Sequence, residues 1–302
     1  MAVTESRQRA SSDQLSASNA KSLKPEYPML GLLRDAFPYR IPGPRFGRYA
    51  SLVMVAPCNM ACPYCDVGGY AKDDDHNLPG WSPISLREIE AFVDEEVDRG
   101  RIIYLTGGEP LMFPELVAHI GAKVRRRGGY TSVATNASAR QRLRMVSPHV
   151  DEFSVSLKGT PQTAASTSGV TGRLAFDLPH QNTLGLLNTP GITLELVVVL
   201  FDALTYENFC EIYRPFFGRA YLTLKQYRPK ITTVHKEHSY TTVLLEDRAH
   251  AEVQPMSLDR AHDLFRRLVK SYPEHGAYFG LVTGGGGDQH VFRGDEEHFF
   301  QR

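Results

Sequence analysis

The 302-residue chain is long enough for one large α/β domain or two modest ones, and a hydrophobic fraction of 42% supplies a sizeable core. Lys plus Arg and Asp plus Glu each total 34, so no overall charge draws the protein to nucleic acid or to an acidic membrane, and neither is expected as a partner. The N-terminus shows no secretory leader pattern and no apolar run reaches membrane-spanning length, which sets the expectation of a cytoplasmic protein.

Residues 1–22 are rich in Ser, Ala and Gln with almost no large apolar side chains, and are expected to form a disordered leader. Residues 23–49 are rich in Pro and Tyr and read as an irregular segment packed on the domain edge. A regular rhythm then begins. The strand-like run SLVMVA is followed by a cysteine-bearing loop, and a helix runs from a Ser85 cap through Leu86, Ile89, Phe92, Val93 and Val97 to Gly100. RIIYLT, YTSVAT, EFSVSL, ITLELVVVL and AYLTLKQY continue as strands, alternating with helices over PELVAHIGAKVRRRGG (114–129) and near 138–147, 174–188 and 205–214. Strands apolar on both faces that alternate with amphipathic helices indicate parallel βαβ units, here a full or partial α/β barrel over residues 50–230. Residues 231–302 complete the domain with a long loop read as a lid, a helix from Ser257 to about Ser271, a last strand AYFGLV and an acidic, aromatic tail.

In such folds chemistry sits in the loops at the carboxyl ends of the strands, and the cysteine loop follows the first strand. Cys58, Cys62 and Cys65 lie within eight residues of a chain that has four cysteines in all. In a reducing compartment, metal binding or catalysis explains such a cluster better than disulfides do. Structural zinc wants four ligands, and the remaining cysteine, Cys210, falls in a helical stretch where a small buried hydrophobe is the plainer reading. Three thiolates on a [4Fe–4S] cube leave one iron open for an exchangeable ligand.

CNMACPYC, with Tyr64 just before the last cysteine, resembles the C-x3-C-x2-C signature of the radical S-adenosylmethionine (radical SAM) superfamily. The segment YLTGGEPLMFPEL strengthens the resemblance by placing Gly107, Gly108, Glu109 and Pro110 directly after the second strand. Glycines there permit close backbone approach, and Glu109 offers an acceptor for an ammonium group. The resemblance implies a partial (β/α)6 barrel, a [4Fe–4S] cluster held by the three cysteines, and S-adenosylmethionine bound through its amino and carboxylate groups at the open iron. It also places further cofactor contacts at Thr135 and Asn136 after the third strand, at Ser156 and Lys158 after the fourth, and at Gln226 and Tyr227 after the sixth, with Lys225 beside them.

The implied enzyme takes an electron from an external donor such as flavodoxin or ferredoxin, cleaves S-adenosylmethionine and abstracts hydrogen from its substrate. No protein acid–base pair is required for that abstraction; His235, His238 and Tyr240 in the post-barrel loop are the candidates for any later proton transfer. A small-molecule substrate is the expectation. The alternatives are an activase that installs a glycyl radical on a partner protein, a peptide-modifying enzyme, and a non-catalytic iron–sulfur or zinc protein. The pattern is most similar to the glycyl-radical activases, but Ser156 stands where their fourth strand carries aspartate.

Overall fold

The computed structural model describes residues 23–38, 45, 47–55, 57–62, 83–226, 254–283, 289–294 and 296–300. The expected leader over 1–22 lies outside these residues, as do residues 228–253 of the loop over 228–256 read as a lid. Strands β2 (Tyr49–Val55), β4 (Ile102–Gly107), β5 (Thr131–Thr135), β6 (Glu152–Val155), β7 (Thr193–Leu200), β8 (Tyr221–Gln226) and β9 (Phe279–Thr283) run parallel in that order. Helices α1 (Leu86–Asp98), α2 (Pro114–Arg126), α3 (Arg140–Val146), α4 (Ala164–Ser168), α5 (Asp177–Leu186), α6 (Tyr206–Tyr213) and α7 (Leu258–Ser271) fall between them. The strand order has two ends and does not close among the described residues, so the fold is a partial barrel.

Local signals set the element boundaries. The Ser85 hydroxyl accepts the Glu88 N–H while the Glu88 carboxylate accepts the Ser85 N–H, a reciprocal cap that starts α1. Thr205 and Ser257 cap α6 and α7 in the simpler one-way form. Side-chain alternation then sorts the sheet into two faces. Phe153 and Val155 of β6, Leu194 to Leu200 at every second position of β7, and Leu222 and Leu224 of β8 join the helices in one apolar core. The opposite face carries polar side chains that bond across strands: Ser132 Oγ donates to Glu152 at 2.6 Å, while Glu195 accepts Ser154 Oγ at 2.6 Å and Thr223 Oγ1 at 2.5 Å.

The segment expected to be irregular contains a strand of 13 residues, β1 (Glu26–Pro38), antiparallel to β2 and paired at its other side with the short β3 (Pro83–Ser85). Its pairing with β2 shifts register between Leu33 and Phe37, around Asp35 at φ +46°, which breaks the alternation by which a strand is read in sequence. Ionic contacts pin it to α1. The fully buried Glu96 carboxylate takes Arg34, Arg99 at 2.8 Å and the Ser51 hydroxyl at 2.5 Å, and Arg99 also reaches Asp35 at 2.7 Å. The tail, too, is part of the sheet: β10 (Gln289–Arg293) pairs antiparallel with β9, and β11 (Glu296–Phe300) with β10.

Candidate active site at the carboxyl edge of the sheet

Thr135 and Val155 are register partners at the ends of β5 and β6, as are Val55 and Gly107 at the ends of β2 and β4, so the loops that leave these strands emerge along one edge. The cysteine loop, the GGEP turn, the TNAS turn and the SLKG turn are therefore neighbours, although about 100 residues separate the first from the last in the sequence.

The turn after β4 is clamped to the exit of β2. Gly108 N donates to Val55 O at 2.6 Å and Glu109 N to Pro57 O at 2.8 Å, one residue ahead of Cys58. Gly107 lies at φ +101°, and a Cβ there would sit 2.4 Å from Val55 O and 2.7 Å from Val55 N. The close approach that this glycine permits is thus to β2 itself, and it brings the cysteine loop and the GGEP turn together.

Glu109 points into the protein with 3% of its surface exposed. Its Oε1 accepts Thr135 Oγ1 at 2.8 Å and Leu111 N at 3.1 Å, and its Oε2 accepts Asn136 N at 2.7 Å. Burial pushes the carboxyl above its ordinary pKa, against the pull of these donors and of the Lys158 charge. Three of roughly four acceptor positions of the carboxylate are in use, so Glu109 joins β4 to β5 before any ligand is considered. Lys158 Nζ donates to Ser156 Oγ at 2.8 Å, and Ser156 N to Thr135 O at 2.9 Å, which adds the end of β6 to the assembly. At the far end, Gln226 Nε2 donates to Met256 O at 3.3 Å.

Cys58 is half-buried and Cys62 buried, and neither forms a disulfide. Met60 N lies 3.4 Å from Cys58 Sγ, a donor placed as N–H groups are placed around cluster thiolates. Cys62 Sγ is 3.7 Å from Ser168 O at the end of α4, and Ala61 N donates to the same carbonyl at 3.0 Å. This donor set fits an iron–sulfur cluster: soft thiols on one short loop, with backbone N–H nearby. Cys65 and Tyr64 lie outside the described residues, as do Tyr227, His235, His238 and Tyr240. Cys210 is on α6, packed against the helix-side core.

Asn59, Ser138, Asn182 and Gly169 also shape the site and were not singled out from the sequence. Asn59 stands beside a thiol position, a signal open to reading. The part played by Gly169 depends on a left-handed turn at φ +65° packed on Ala61, which nothing local announces.

A family model of the radical SAM superfamily matches residues 53–175. Over these residues the chain is similar to that superfamily. The match runs from β2 to just past α4; β7 and β8 continue the same architecture beyond it. Over 72 residues the chain is 36% identical to a 7-carboxy-7-deazaguanine synthase of Hyperthermus butylicus, a match that takes in 23% of this chain and 27% of that protein. Two solved structures are similar in fold. A radical SAM methyltransferase from Sphaerobacter thermophilus gives a TM-score of 0.54 at 14% identity, over 90% of this chain and 82% of that one. Streptococcus suis SuiB bound to precursor peptide SuiA gives 0.53 at 13% identity, over 76% and 47%. At such identities the likeness shows the fold alone. The chain thus spans about a quarter of the curated relative and about half of SuiB. Among the described residues no helix is long and apolar enough to cross a membrane.

Proposed function

We propose that this protein is a radical SAM enzyme that binds a [4Fe–4S] cluster through Cys58, Cys62 and Cys65 and acts on a small molecule by hydrogen abstraction. The observation that carries the reading is the convergence of the cysteine loop with the GGEP turn at the exits of β2 and β4, through the Gly108–Val55 and Glu109–Pro57 hydrogen bonds. When bound, the cluster and S-adenosylmethionine supply the reductive cleavage that yields methionine and a 5′-deoxyadenosyl radical.

The chain's own residues bind, orient and shield. Cys58 and Cys62 present sulfur at the edge of the sheet, while the Gly107 turn and the Glu109 contacts fix the backbone alongside. Glu109 keeps one of its roughly four acceptor positions for an ammonium group, and the Lys158 ammonium suits a carboxylate or ribose oxygen. The 7-carboxy-7-deazaguanine synthase makes, by its name, a small heterocycle, which supports the small-molecule reading over peptide modification. The activase alternative is weakened by Ser156, whose hydroxyl is engaged by Lys158 where an aspartate would be expected.

Anaerobic reconstitution with iron and sulfide, followed by S-adenosylmethionine and a chemical reductant, tests the reading. The expected result is a brown protein that releases 5′-deoxyadenosine. A colourless protein that retains zinc and leaves S-adenosylmethionine intact overturns it.

A further inference from the structure

Beyond the Glu109–Pro57 bond at its start, the cysteine loop is fastened at two further places, and one of these is a side chain that iron ligation does not account for. Toward α4, Ala61 N is held by Ser168 O at 3.0 Å, and Gly169 at φ +65° packs so closely that a Cβ would lie 2.1 Å from Ala61 O. Toward β5, Asn59 donates from Nδ2 to Ser138 Oγ at 2.8 Å and accepts Asn136 Nδ2 on Oδ1 at 2.8 Å. The amide orientation follows from the network. Asn136 Oδ1 is occupied by Ser138 N at 3.0 Å, so its NH2 faces Asn59 and meets the Asn59 oxygen.

Asn59 is exposed. Water could satisfy its amide, so immobilising the side chain costs rotamer freedom with no return from burial. The turn that it grips is, by contrast, rigid. Ala137 is fully buried and left-handed at φ +55°; its N–H is taken by Thr135 Oγ1 at 3.0 Å and its carbonyl by Asn182 Nδ2 at 2.8 Å. A non-glycine residue stays in that conformation where its surroundings over-determine it, and such strain collects at functional sites. The turn is a preformed platform, and Asn59 is the part of the cysteine loop that holds it.

We propose that Asn59 is a positioning residue for the iron site: by gripping the Asn136–Ser138 turn, it holds Cys58 and Cys62 in their ligand placement before a cluster is bound. This rests on the radical SAM reading. With residue 59 fixed to the turn and residue 61 fixed to α4, a two-residue separation leaves the loop between the thiols few alternative paths. A loop set in advance loses less chain entropy when it takes up metal.

The test uses the full chain, free of metal and oxygen, treated with iodoacetamide while alkylation of each cysteine is followed by mass spectrometry. In Asn59→Ala, which removes both bonds, Cys58 and Cys62 are expected to react about tenfold faster than in the wild type. Cys210 should keep its rate, since a general loosening would expose it as well. Ser138→Ala removes one bond and should give a smaller acceleration. The double variant should match Asn59→Ala, because both substitutions act through the same contact. After reconstitution, Asn59→Ala should lose iron to a chelator several-fold faster than wild type. Unchanged Cys58 and Cys62 rates in Asn59→Ala, or an equal rise at Cys210, overturn the proposal while wild-type 5′-deoxyadenosine release keeps the radical SAM reading standing. A wild type that takes up no iron overturns both.

Discussion

Glu109→Gln isolates the hydrogen bonds that join the GGEP turn to the TNAS turn. The glutamate presents oxygen to every neighbour: Oε1 to Thr135 Oγ1 and Leu111 N, Oε2 to Asn136 N. Glutamine has one oxygen and one NH2. If its oxygen serves Thr135 and Leu111, the NH2 faces the Asn136 N–H, donor against donor. If it flips, the NH2 faces Leu111 N instead, and the Thr135 hydroxyl loses its acceptor. Either way a buried backbone N–H is left without a partner, at a cost of about 1–3 kcal/mol. Taking about 2 kcal/mol, the melting temperature should fall by roughly 4 °C for a chain of this size, measured on metal-free protein by circular dichroism. The pH dependence carries the same signature. Burial raises the Glu109 carboxyl above its ordinary 4.5, so between that value and the raised one the native state holds more protons than the unfolded state. Wild-type stability therefore declines as pH rises through that window, whereas glutamine cannot titrate. The gap between wild type and variant should be widest at the acid end and narrow toward neutrality. A variant that melts with the wild type at every pH, yet no longer binds S-adenosylmethionine after reconstitution, would refute this account and leave Glu109 as a ligand contact only.

Cys58→Ala and Cys62→Ala should each abolish iron retention after anaerobic reconstitution, while Cys210→Ala retains it, measured by iron and sulfide content. Gly169→Ala places a methyl group 2.1 Å from Ala61 O on a left-handed backbone, so it should lower both the melting temperature and the iron content, reporting the seat of the cysteine loop on α4. His149 is half-buried, and burial and the nearby Arg125 charge hold its imidazole below the usual value of 6.5. Below that value the unfolded state binds the extra proton more readily, so stability should fall as pH drops through about 6.5, and His149→Gln should flatten that slope in melts recorded from pH 5 to 8.

The parallel core was legible because its two signals are local. An apolar strand buried on the helix side, such as Leu194 to Leu200 at alternate positions, and a capped amphipathic helix, such as α1 behind Ser85, are written in runs of ten residues or so. The strand β1 was not legible. Its prolines and the break at Asp35 disguise the alternation, and what holds it is the convergence of Arg34, Arg99 and Ser51 on a buried Glu96 up to 62 residues away. The tail hairpin was read as an acidic, aromatic end for a similar reason: Glu296, Glu297 and His298 give no apolar face, and the strand exists through pairing with β10.

The candidate site divides along the same line. Cys58, Cys62 and Glu109 announce themselves by chemistry that has few other uses at that spacing. The residues that set their geometry do so through contacts between loops distant in sequence, and their types are unremarkable: an asparagine, a serine, an alanine at positive φ and a glycine. Asn136 shows the difference within one side chain. Its type and place after β5 suggested a cofactor contact, yet its N–H holds Glu109, its amide NH2 holds Asn59 and its carbonyl oxygen holds Ser138. A residue that bonds three others cannot be replaced without moving the cysteine loop and the carboxylate together. Loss of turnover in an Asn136 variant would therefore report the assembly as much as any ligand, and metal-free thiol reactivity is the measurement that separates the two.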